Sequence, residues 1–290
     1  MWIFWALLSA LSAATRRTNE KKLTFQLHHL TIALMVQLFA LPVILTAVLL
    51  RGDMLSLAHL SYKFWLPLIA VCAGFYPLNA FLYFQAVKRS EISSVLPIQS
   101  LLPAASLILA WVILHQTPTL ISTVGVILIV GGVYALGLKG KRLHHPFRPF
   151  VEERGSLFML LSVLLNTAVG VLDKIAIGAS NATFYSLIST IGAVITLFVT
   201  MRLTHVSELG QLKKHLRNLG LTGTLQGTSY TTYLLAISTG PIAYATALRS
   251  SNVLIGSLLG IVLLKEKLTK PKILSFCLIL IGGVVLALGS

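Results

Sequence analysis

The chain has 290 residues, of which 56% are hydrophobic and 11% charged, with a mean hydropathy of +0.86 and a formal net charge of +15. Soluble globular domains carry roughly 25% charged residues, so a water-soluble fold is excluded. The apolar stretches also lack the alternation of a β-barrel, and lipid cannot satisfy open backbone amides, which leaves helix as the spanning element.

In chain order, ten apolar runs occupy 1–15, 27–50, 64–87, 92–114, 118–138, 156–172, 183–203, 217–237, 241–264 and 271–289. A spanning helix needs about 20 apolar residues, so an all-α integral membrane protein with ten transmembrane helices is expected. The first run is not a secretory signal. Met1-Trp2-Ile3-Phe4-Trp5 has no basic region before it, and Arg16, Arg17, Lys21 and Lys22 follow it instead. Pro42, Pro67, Pro77, Pro97 and Pro103 fall in or near the first five runs, whereas Pro241 and Pro271 stand at span starts. Bending is therefore expected to concentrate in the first half.

The connections carry the charge in a pattern. Numbered in order, the odd connections hold 19 of the 23 lysines and arginines. The even ones hold Arg51 and Lys63, with Lys174 at a span end and Arg249 within a span. That bias puts the odd connections in the cytoplasm and both termini outside. The same positions argue for anionic lipid headgroups as the partner of the basic surface and against nucleic acid.

The second half repeats the first at a spacing of about 150 residues. Tyr83-Phe84-Gln85-Ala86, Pro97-Ile98-Gln99-Ser100, Leu114-His115-Gln116-Thr117 and Gly131-Gly132-Val133 answer to Tyr233-Leu234-Leu235-Ala236, Ala247-Leu248-Arg249-Ser250, Leu264-Lys265-Glu266-Lys267 and Gly282-Gly283-Val284. The acid–lysine pairs Glu20-Lys21 and Asp173-Lys174 close the first span of each copy. The expected domains are a five-helix repeat over 1–138, a basic cytoplasmic linker over 139–155 and a second five-helix repeat over 156–290. Five spans is an odd number, so the copies enter the membrane in opposite senses, as two inverted repeats.

Ser257-Leu258-Leu259-Gly260-Ile261-Val262-Leu263-Leu264-Lys265-Glu266-Lys267-Leu268-Thr269, with Ile281-Gly282-Gly283-Val284 behind it, resembles the leucine-rich helix, acidic turn and glycine-rich last helix of EamA-type members of the drug/metabolite transporter superfamily. Gln116-Thr117-Pro118-Thr119 is the weaker first copy, with glutamine where the family usually has glutamate. The resemblance runs over essentially the whole chain and implies a ten-span transporter, with both termini inside. Bottom-up, Glu266 and the glycines read as structural: a carboxylate capping a helix start, and small residues admitting close helix contact.

Polar groups that lipid would penalise mark the expected path. Tyr76, Asn79 and Tyr83 share a face of the third span; Gln226, Ser229, Tyr230 and Tyr233 share one of the eighth. Gln99 in the fourth span, Asn166 in the sixth and Asn252 in the ninth add to the set. Arg249 lies eight residues beyond Pro241, roughly 12 Å into its span. A cation at that depth calls for a watery cavity or a partner, and its planar fork suits a carboxylate or phosphate. Gln99 is its repeat mate. All eight acids read as lying in loops or at helix ends, so no carboxylate awaits a lipophilic cation at mid-span.

Cys72 and Cys277 lie in apolar runs, and the histidine pairs 28–29 and 144–145 lack ligand spacing, so no metal, cofactor or catalytic residue is expected. The reading is a secondary transporter, monomeric or homodimeric, in a bacterial inner membrane. It would move a small anionic, zwitterionic or neutral polar metabolite, such as an amino acid or nucleotide-like solute, by alternating access through spans three, four, eight and nine. A flippase of a lipid-linked substrate on the same fold is the alternative. An integral-membrane enzyme acting on lipid phosphates is a weaker one, and a non-transporting scaffold would not need the polar faces.

Overall fold

The computed structural model describes residues 1–23, 26–55, 60–89, 96–137, 154–204, 209–252, 254–255 and 270–289. Among these the regular structure is helical throughout: α1 (Trp2–Leu23), α2 (His29–Arg51), α3 (Tyr62–Ile69), a π-helical turn (Ala70–Phe75), α4 (Tyr76–Arg89), a 3₁₀ segment (Leu96–Leu101), α5 (Leu102–Leu114), α6 (Leu120–Gly137), α7 (Arg154–Gly178), α8 (Ala182–Leu203), α9 (Leu209–Thr239), α10 (Ile242–Arg249) and α11 (Lys270–Leu288). With α3, the π turn and α4 taken as one rod, and the 3₁₀ segment joined to α5, the described residues form ten rods, one for each apolar run. Stretches 30–51, 62–83, 155–178 and 182–203 are long and apolar enough to cross a membrane; 102–114, 120–135 and 273–288 are shorter apolar helices.

Local chemistry sets several boundaries. Asn181 caps α8 by accepting from the Phe184 amide at 2.8 Å, and Gly52 closes α2 in the left-handed region at φ 66°. That conformation suits a residue without a Cβ. The π turn lies directly before Pro77, whose ring crowds the carbonyl of the preceding turn and which donates no amide, so the ladder widens there.

Three boundaries differ from the sequence reading; the first rod, read as ending at residue 15, runs on as helix to Leu23. The sixth rod runs to Gly178 and carries Asp173 and Lys174 inside the helix. Both charges are accommodated there: Tyr185 Oη donates to Asp173 Oδ1 at 2.7 Å, and Lys174 Nζ donates to the Ile237 carbonyl at 2.6 Å. Ile175-Ala176-Ile177 then continues the apolar pattern. The eighth rod starts at Leu209, because Leu212 is buried against Leu23, Leu27, Ile32 and Val36 and holds the basic stretch helical.

The chain divides into two compact units. The first comprises Met1–Pro77 and Leu172–Thr239. In it α9 packs against α1 and α2, and α2 against α8. Gly223 and Gly227 of α9, one helical turn apart, lie against Val36, Phe39 and Ala40 of α2 with no room for a Cβ. This is a small-xxx-small contact, by which membrane helices approach closely. Across α1 and α9, Ser9 Oγ donates to the Ser229 carbonyl at 2.7 Å and Ser229 Oγ to the Ser9 carbonyl at 3.1 Å.

The second unit comprises Leu78–Val171 and Gly240–Ser290. Its main contact is α6 on α11, where Gly125, Gly132 and Gly282 bring backbone against backbone. Of the glycine pairs singled out in the sequence, Gly132 and Gly282 make this contact. Gly131 has nothing within 4 Å of where its Cβ would lie, and Gly283 meets only the tip of Leu248 at an ordinary 3.6 Å.

Hydrogen bonds near the rod ends join connections of like parity. Asn19 near connection one bonds Asn218 and Thr222 near connection seven. In connection two, Asp53 accepts from Asn181 and Thr183 of connection six. Gln116 of connection four meets Ile242 at connection eight, and Thr119 meets Gly289 after the last rod.

Candidate functional site

Within the second unit, the fourth and ninth rods lose α geometry at matching places in the two halves. Gln99 lies in the 3₁₀ segment Leu96–Leu101, ahead of α5 with Pro103 near its start. One repeat on, α10 ends at Arg249; Ser250 and Ser251 form a turn, and helix resumes at Asn252. The Ser251 amide bonds the Leu248 carbonyl at 3.1 Å, three residues back, before the Ile255 amide returns to the Ser251 carbonyl at 3.0 Å. Residues 242–248 of α10 are all buried, Arg249 is half-buried, and Asn252 is buried. Interrupted helices at corresponding positions of two halves free backbone groups for a ligand and are where transporters of repeat build hold their substrates. Mid-span 3₁₀ geometry elsewhere also marks working segments.

The same unit gathers three more polar residues. Asn79 and Asn166 face each other as a reciprocal amide pair, each Nδ2 donating to the other's Oδ1 at 3.2 Å. Ser162 Oγ adds a donor to Asn79 Oδ1 at 2.6 Å, so α4 and α7 are tied by a closed polar set. Asn166 is exposed on its helix. Gln99 is half-buried, with Nε2 on the Met159 sulfur at 3.7 Å, a weak acceptor. Tyr83 packs on the cluster of Ala86, Ile98, Met159 and Val163.

Gln116 explains what the turn motif does in the first repeat. Its Oε1 accepts the Ile242 amide at 3.3 Å, capping α10, whose own N-cap Pro241 offers no side-chain bond. The second copy of that turn, with Glu266, lies outside the described residues.

The first unit holds the other predicted residues, of which Tyr230 joins a buried polar seam. Tyr230 Oη and Ser189 Oγ share a hydrogen bond at 3.1 Å; Cys72 Sγ meets the Ser189 carbonyl at 3.5 Å; Ser186 and Thr231 hydroxyls lie 3.4 Å apart. Ser229 is 1% exposed and bonds to Ser9, so its hydroxyl serves the α1–α9 contact. Tyr233 is buried, while Tyr76 and Gln226 are half-buried. The sequence reading missed Asp173 and Tyr185 in this seam. Asp173 is 3% exposed and Tyr185 fully enclosed, edge-on to Phe64 at 5.9 Å. The apolar Ile175-Ala176-Ile177 after the charged pair was the available signal that the helix continues. Among the described residues, no three histidine, cysteine, aspartate or glutamate side chains group closely enough to hold a metal ion.

The EamA-like transporter family matches residues 1–138 and 153–288. The chain belongs to this family. It is thereby a membrane transporter of the drug/metabolite transporter superfamily, a family of transporters and not of enzymes. A solved crystal structure aligns with a TM-score of 0.76 over 99% of this chain and 95% of its own, at 16% identity, which shows a shared fold. No curated protein matches. In this EamA-like chain the apolar rods are therefore membrane-embedded helices.

Proposed function

We propose that this EamA-like protein is a secondary transporter that moves a small polar metabolite by alternating access. The solute is anionic, zwitterionic or neutral, and the paired interruptions at Gln99 and Arg249 form part of its path. The observation that carries this reading is the loss of α geometry at repeat-matched positions, each beside a deep polar side chain. Freed carbonyls and amides supply hydrogen bonds where lipid has none. Arg249 supplies the one cation of the ninth rod's interior for a substrate carboxylate or phosphate. The family match over 1–138 and 153–288 supports two five-helix repeats divided by the basic linker 139–155. Their odd number of spans favours an inverted relationship.

The lysine and arginine bias supports a bacterial plasma membrane with the odd connections in the cytoplasm and the termini outside. An alkaline phosphatase fused after Ser290 is then expected to be active; an inactive enzyme beside a fluorescent GFP fusion at the same place would reverse the orientation.

The direct test is uptake into proteoliposomes over a panel of amino acids, nucleotides and other organic anions, with Arg249→Gln in parallel. The expected result is an anionic or zwitterionic solute whose uptake falls at least tenfold in the variant. Loss of a bidentate charge-assisted contact costs about that much or more. Undiminished uptake by Arg249→Gln would remove Arg249 from the path.

A further inference from the structure

The first unit brings two basic segments, nearly 200 residues apart in sequence, to one level. Near the end of α1, Asn19 Nδ2 donates to the Asn218 carbonyl at 3.1 Å and to Thr222 Oγ1 at 2.8 Å. With the Ser9–Ser229 pair this contact sets α1 and α9 antiparallel, so the last turn of α1, where the sequence has Lys21 and Lys22, is level with the stretch of α9 that carries Lys214, His215 and Arg217. Leu23, Leu212 and Leu219 of these two ends are buried together and hold them in place.

Helix length places this cluster outside the hydrocarbon. The 31 residues of α9 rise about 46 Å, against a core about 30 Å thick, so about ten project beyond it. That projecting stretch, Leu209 to Asn218, contains no acid, and Glu20 is the one acid in the sequence of α1. Lys214 and Arg217 are exposed and His215 is half-buried.

Apolar side chains then lead away from the cluster into the bilayer. Phe4, Leu7 and Leu11 are 63%, 45% and 50% exposed along one face of α1, at helical spacing, and Leu216 is 45% exposed beside the α9 cations. A free anion would use the charges alone. An acidic phospholipid uses both features, its phosphate among the cations and an acyl chain along the α1 stripe.

We infer that the end of α1 and the start of α9 form a binding site for the headgroup of an anionic phospholipid. The site deepens the reading of the basic connections as a headgroup-facing surface, yet it is independent of the solute: transport can fail with lipid binding intact, and the reverse.

The test is native mass spectrometry of the purified full-length protein with phosphatidylglycerol or phosphatidylcholine added, for wild type, the Lys214→Gln/Arg217→Gln pair and the charge-keeping Lys214→Arg/Arg217→Lys pair. Each cation near the surface is worth about a fivefold change in affinity, so the glutamine pair is expected to weaken phosphatidylglycerol binding about thirtyfold. The charge-keeping pair should bind as wild type does, and phosphatidylcholine should bind weakly to all three. Equal binding of the two lipids, full retention by the glutamine pair, or equal loss in the charge-keeping pair would each overturn the site. Displacement of the lipid by millimolar inorganic phosphate would overturn it in favour of a free-anion site.

Discussion

Replacing Asp173 by leucine is expected to lower stability by about 2 kcal/mol, read as a fall in the thermal unfolding midpoint in detergent. The carboxylate is 3% exposed and accepts the hydroxyl proton of Tyr185, which is itself fully buried. Leucine matches the volume but accepts nothing, and stranding a buried hydroxyl costs about 1–3 kcal/mol. Removing one partner of a buried set costs more than the set contributes when intact, because what remains cannot be resolvated. Tyr185 cannot swing away to find water, since it stands edge-on against Phe64. Asp173→Asn keeps an acceptor of the same shape and is expected to recover most of the loss. Equal destabilisation by asparagine and leucine would show that the hydrogen bond is not what holds the seam.

Gly125→Ala is expected to destabilise by about 1–3 kcal/mol, and Gly125→Leu by more, through overpacking. A Cβ at residue 125 would stand 2.7 Å from the Leu286 amide nitrogen and 2.9 Å from the Gly282 carbonyl oxygen. Both are helix backbone, so neither can step aside without moving α6 off α11. Such glycine contacts supply the dispersion energy that replaces the hydrophobic effect between helices in lipid. Gly131→Ala is the matched control. Nothing lies within 4 Å of the added carbon, and alanine is the better helix former by about 1 kcal/mol, so the variant should be neutral or slightly more stable. Equal loss in the two alanine variants, judged by unfolding midpoints, would contradict the close-contact account.

These two cases also mark what the sequence could and could not disclose. The seventh and tenth rods were legible nearly to the residue, since apolar runs there end in charge or turn residues. The sixth was not, because an acid–lysine pair reads as an interface until a tyrosine and a carbonyl from other helices are seen to satisfy it. Glycine pairs announced close contact, but only a helix partner selects which member of each pair makes it; Gly125 carried no such label. The four-residue spacing of Gly223 and Gly227 is the sequence signal, not used in that reading, for the α2–α9 contact. In the candidate site, depth alone singled out Arg249, and the repeat then pointed to Gln99. The breaks in helix geometry beside them were hidden: prolines 97 and 103 suggested bending in the fourth rod, but no proline or glycine marks the turn at Ser250 and Ser251. That turn follows a helix buried from Ile242 to Leu248, and such tertiary packing is not recorded in local propensity.

The measurement that bears most directly on the transporter reading is solute counterflow in proteoliposomes of the wild-type chain. Vesicles are loaded with an excess of the unlabelled solute found by uptake, and entry of trace label is followed over time. A carrier that must reorient around one site exchanges solute faster than it returns empty. The expected trace therefore overshoots, with label accumulating transiently above equilibrium. Entry that rises monotonically to equilibrium at the same rate with or without internal solute would contradict alternating access and point to a passive pore.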